Sequence, residues 1–127
     1  MKVLTIAVMV LRLAVLAALI MGILFWTGNA DNLITIHTLI GIIVVLSLWT
    51  IGLAQGFMKG GSFALAAATF ILGLILAIVG LYQQSWLSGS AHWVIQVIHL
   101  LLGLSAIALG EMIYGRTRRR LKTTATA

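Results

Sequence analysis

Four long apolar runs separated by short polar breaks constrain this chain more than any other feature. They cover residues 3–26, 33–54, 63–82 and 91–114. Each is close to the roughly 20 residues that a helix needs to cross the hydrocarbon core of a bilayer. Within them the apolar residues do not keep to one face, as lipid-facing helices require and soluble amphipathic helices do not show. Only 8% of the residues are charged and 62% are hydrophobic. A soluble domain carries about 25% charged residues, so this chain has too few to build a water-exposed surface. The expected fold is all-α: an up-down-up-down bundle of four transmembrane helices over residues 1–115, followed by a basic tail over 116–127. The lipid bilayer is its first partner.

The same composition excludes several chemistries. Cysteine is absent, which removes disulfides, thiolate metal sites and cysteine nucleophiles. Proline is absent too, so no span is broken in the manner of many transporters. The sequence contains no carboxylate pair, activated nucleophile or phosphate-binding loop motif. The net charge of +6 does not point to nucleic acid, because Arg116, Arg118, Arg119, Arg120 and Lys122 concentrate it beside the last span. A cluster in that position sets topology or meets anionic lipid.

If the helices alternate, Lys2, Lys59 and the basic tail share one side. The two loops on the other side, near Asp31 and Ser88, contain no Lys or Arg. The positive-inside rule then predicts that both termini are cytoplasmic, in a bacterial inner membrane, with Trp26, Trp86 and Trp93 at the outer interface. The first run competes with a signal peptide cleaved near Gly28-Asn29-Ala30. It is longer than a usual signal core and contains Arg12, so it is read as a retained span.

Two spans share a short pattern. Ile36-His37-Thr38-Leu39-Ile40-Gly41-Ile42 lies in the second, and Ile98-His99-Leu100-Leu101-Leu102-Gly103-Leu104 in the fourth. Both read Ile-His-x-x-x-Gly-aliphatic, about half the chain apart, which suggests a two-helix internal repeat. The second and fourth spans run in the same direction, so the two imidazoles are expected roughly 6–12 Å below the outer interface. Diagonal helices in a square bundle stand on the order of 12–14 Å apart, too far for two imidazoles to touch but suited to one metal held from both sides. Gly41 and Gly103 lie at i+4 from the histidines, on the same helix face. There they either leave space for a flat macrocycle or let helices pack closely. Gly52, Gly56, Gly73, Ala77 and Gly80 fit the packing role.

Histidines within a membrane span are candidates for function, although hydrogen-bonded helix glue is the plainer alternative. A chlorin-type pigment would need only one of them. His92 forms an i, i+7 pair with His99 and is expected near the interface, exposed or beside a haem propionate. Arg12 and Glu111 either bridge the first and fourth spans or extend separately toward water. Trp49 is a packing or interface residue.

At the Ile-His-x-x-x-Gly pairs, the chain resembles small four-helix b-type membrane cytochromes and, more loosely, one half of the heme A synthase family. The resemblance implies haem b bound between His37 and His99, with Gly41 and Gly103 beside it, and electron transfer rather than stand-alone catalysis. It also implies a quinone, or a larger respiratory or photosynthetic complex, as partner. A cofactor-free structural subunit or a small transporter-like bundle is the competing class.

Overall fold

A computed structural model describes residues 1–125, and residues 126 and 127 of the basic tail lie outside that range. Four long helices form the bundle: α1 (Lys2–Trp26), α2 (Ile34–Gly56), α3 (Phe63–Tyr82) and α4 (His92–Ala125). No strand occurs among the described residues. All four helices are long and apolar enough to cross a membrane, the make-up of an integral membrane protein.

Local chemistry ends the first helices close to where their apolar runs end. After Trp26, the Gly28 N–H donates to Phe25 and the Asn29 N–H to Leu24. Gly28 has φ +74°, so this is a Schellman turn with glycine at its left-handed position. The α2–α3 connection is organised by Gln55, whose side chain is 1% exposed. Its amide donates to the Ser62 carbonyl at 2.7 Å and to the Gly52 carbonyl at 3.2 Å, and accepts from the Ser62 N–H at 3.2 Å. Ser62 in turn caps α3 by accepting from the Leu65 N–H at 3.3 Å. α4 does not stop at Tyr114 but continues through the basic segment to Ala125. No proline or left-handed glycine interrupts it there.

The bundle is rhombic rather than square. Each helix packs against its sequence neighbours, α1 closes the ring against α4, and α2 also packs directly on α4 across the short diagonal. The wide α2–α4 gap expected from a square bundle is therefore corrected. Small residues make the close approach possible. A side chain at Gly110 of α4 would stand 2.5 Å from Leu11 of α1 and 3.4 Å from Ile51 of α2. Gly52 lies against Thr69, and Gly73 against the Trp49 indole. Trp49 stacks on Phe70 with centroids 4.7 Å apart and donates its indole N–H to the Phe70 carbonyl at 3.2 Å.

Packing is unequal along the bundle. At the end that carries the basic residues, Leu4, Leu11, Leu48, Ile51 and Ile113 are fully buried. Arg12 and Glu111 join α1 to α4 there by a two-pronged ion pair, at 2.5 and 2.9 Å. At the opposite end nothing in α1 beyond Val15 is buried, and nothing in α2 before Val44. Leu76, Val79 and Ile95 are the buried large side chains at that end among the residues whose burial is described.

Candidate functional site

The loosely packed end contains the two histidines of the repeat. His37 sits one turn into α2 and His99 two turns into α4. The parallel course of these helices brings the imidazoles to the same level, with centroids 6.2 Å apart and planes inclined by 59°. A metal bound to two imidazole nitrogens, at about 2.0–2.1 Å from each, sets in-line ring centroids about 6.3 Å apart. The observed separation is close to that value and also lies within the range of an ordinary ring contact.

Other residues fix the rings from the sides. Phe25, at the end of α1, meets the His37 ring edge-to-face with centroids 5.2 Å apart. Gly80 of α3 lies against His99, where an added Cβ would come within 3.1 Å of Cε1. Both His37 Nδ1 and His99 Nδ1 are buried without a hydrogen-bond partner. Neither imidazole is therefore held by the hydrogen bonds that the helix-glue reading requires.

Gly41 and Gly103 are placed differently from the packing glycines. A Cβ at either would have no atom of another residue within 4 Å, apart from its chain neighbours and its own helix backbone. Their lack of a side chain is not used for close helix contact, in contrast to Gly52, Gly73 and Gly110. Both are part-exposed positions one turn from a histidine.

The donor set limits what the pair can bind. No group of three or more His, Cys, Asp or Glu able to hold a metal occurs among the described residues. A bare zinc ion takes four protein or solvent ligands in a tetrahedron, and two imidazoles in apolar surroundings leave it short. A metal that brings its own equatorial ring needs only two axial nitrogens, and histidine is a usual axial ligand of haem iron. The ring spacing and the two unpartnered nitrogens are compatible with that second kind of group.

His92 does not join the pair. Its Nδ1 lies 3.3 Å from the Trp86 carbonyl oxygen, a hydrogen bond when that nitrogen carries the proton, and ties the start of α4 to the preceding loop. Two residues around the site escaped sequence reasoning. In sequence Gly80 reads as a packing glycine and Phe25 carries no signal beyond its position. The signal for Phe25 was its place at the end of α1, across a short turn from His37.

The chain matches no protein-family model, and no similar curated protein or solved structure was found.

Proposed function

We propose that this protein is a membrane-embedded b-type cytochrome that carries electrons through a bis-histidine haem. The observation that carries the reading is the His37–His99 pair, with centroids 6.2 Å apart in the loosely packed half of the bundle. His37 and His99 would hold the iron, and Gly41 and Gly103 would leave room for the macrocycle. Haem b supplies reversible one-electron chemistry at its iron. The chain's residues would do the rest. With both His37 and His99 on the iron, oxygen and substrate would be kept from it. Phe25 and Gly80 restrain ring rotation, and the apolar helices keep bulk water away.

The absence of Lys and Arg from the loops at the histidine end supports an orientation with both termini in the cytoplasm, as in a bacterial inner membrane. The haem would then lie near the outer face, within reach of a quinone or of a larger respiratory or photosynthetic complex. The competing reading is a cofactor-free structural subunit or small transporter-like bundle. It is favoured by the contacts of Phe25 and Gly80, which restrain the rings without any metal. A visible spectrum of protein purified from haem-replete cells, before and after dithionite, separates the two. A sharp Soret band and a reduced α band are expected, and a featureless visible spectrum would rule out the cytochrome.

A further inference from the structure

The basic end carries a second site, independent of any cofactor between the histidines. The α2–α3 loop, the first turn of α3 and the last turns of α4 enclose a cavity of about 480 Å³. Gly60, Ser62, Ala64, Arg116, Thr117 and Arg120 are among its lining residues. We propose that this cavity binds a phosphate group, either the headgroup of an anionic phospholipid or free inorganic phosphate.

Charge comes first. Arg116 and Arg120 stand one helical turn apart on α4, and no acidic residue lines the cavity. The chain has only two acidic side chains, Asp31 and Glu111. Glu111 is engaged by Arg12, and Asp31 belongs to the turn at the opposite end of the bundle. Neither of these two side-chain carboxylates lines the cavity.

Geometry comes second. Arg120 donates to the Gly60 carbonyl, which lays its side chain across the loop. Gly60 permits this because φ is +72° and a Cβ there would press on Arg120 Cδ at 3.3 Å. Thr117 is 2% exposed and lines the cavity, yet its hydroxyl bonds no protein group among the described residues. A hydroxyl on a cavity wall can both donate to and accept from a group that enters the cavity.

The third contribution is the start of α3. This helix is 20 residues long, and its Phe63 and Ala64 N–H groups have no protein acceptor. Free N–H groups at the positive end of a helix dipole favour an anion. Guanidinium, hydroxyl and backbone N–H donors together match the oxygens of a phosphate. The cavity lies at the basic end of the bundle, which the positive-inside rule would put beside the headgroups and the cytoplasm, within reach of both phosphate sources.

The test uses the full chain in detergent. Equilibrium dialysis measures labelled inorganic phosphate, and native mass spectrometry measures dioctanoyl phosphatidylglycerol. Saturable one-to-one binding of at least one probe is expected. Binding of phosphate marks a soluble ion as the occupant, and binding of the lipid alone marks a headgroup. Arg116→Gln should weaken the bound probe tenfold or more, and the near-isosteric Thr117→Val at least threefold. The double variant Arg118→Gln/Arg119→Gln, on exposed residues outside the cavity, should leave affinity within twofold. Lack of saturable binding by either probe would overturn the proposal. So would equal losses from Arg116→Gln and the double variant, which would mean diffuse attraction to a basic tail.

Discussion

Replacing Gly73 by alanine should destabilise the bundle, whereas the same replacement at Gly41 or Gly103 should not. A Cβ at Gly73 would overlap the Trp49 indole nitrogen and stand 2.9 Å from Cδ1 and 3.2 Å from Cε2. The indole has little freedom to retreat, because it stacks on Phe70 at 4.7 Å and donates to the Phe70 carbonyl at 3.2 Å. Displacing it costs about 1 kcal/mol for the hydrogen bond and about 0.5–1.5 kcal/mol for the ring contact. Alanine returns about 0.8–1 kcal/mol of helix propensity. The net loss is about 1 kcal/mol, roughly fivefold in the unfolding equilibrium. At Gly41 and Gly103 no clash offsets the propensity gain, so haem-free protein should be unchanged or more stable. Reversible unfolding of haem-free protein by dodecyl sulfate in mixed micelles, followed by circular dichroism, measures all three. A Gly73→Ala/Trp49→Phe double variant should lose less than the sum of its singles, because the clashing indole is gone. Equal losses at all three glycines, or a fully stable Gly73→Ala, would refute the distinction between packed and open glycines.

Three further outcomes are expected. Gln55→Leu should cost about 2–3 kcal/mol in the same unfolding assay, because it removes three hydrogen bonds to backbone groups of Gly52 and Ser62. Arg12→Gln and Glu111→Gln should each lower the midpoint of thermal unfolding more than the double variant does. Each single change strands one charge of a bidentate pair at the α1–α4 contact. The chain has no native cysteine, so single cysteines report topology without interference. Asn29→Cys and Ser88→Cys should react with an impermeant maleimide added outside intact cells, and Lys59→Cys should react only after lysis.

Hydropathy located the four spans, because twenty apolar residues in a row leave few alternatives in water or lipid. The end of α4 was less legible. Its apolar run stops near Tyr114, but Arg116 to Lys122 are good helix formers with no breaker among them, so the helix continues. The rhombic cross-section was not legible either. It depends on which glycines face a neighbour, and Gly52, Gly73 and Gly110 look in sequence like Gly41 and Gly103. The histidine pair was readable because two copies of one pattern fall on parallel helices. For Arg12 and Glu111 the sequence allows either bridging or separate exposure, a choice that only the α1–α4 contact decides. The cavity at Arg116 and Thr117 gave no sequence signal, since α4 meets the α2–α3 loop only after folding.

Haem content of histidine variants is the decisive measurement for the bis-histidine reading. Wild-type protein, His37→Ala, His99→Ala and His92→Ala would be purified from haem-replete cells, and haem per chain determined as the pyridine haemochrome. Wild type and His92→Ala should hold about one haem each. His37→Ala and His99→Ala should each lose most of it, and any residue should lack the low-spin spectrum of two axial imidazoles. Full haem content in both His37→Ala and His99→Ala would show that these two side chains do not hold the iron.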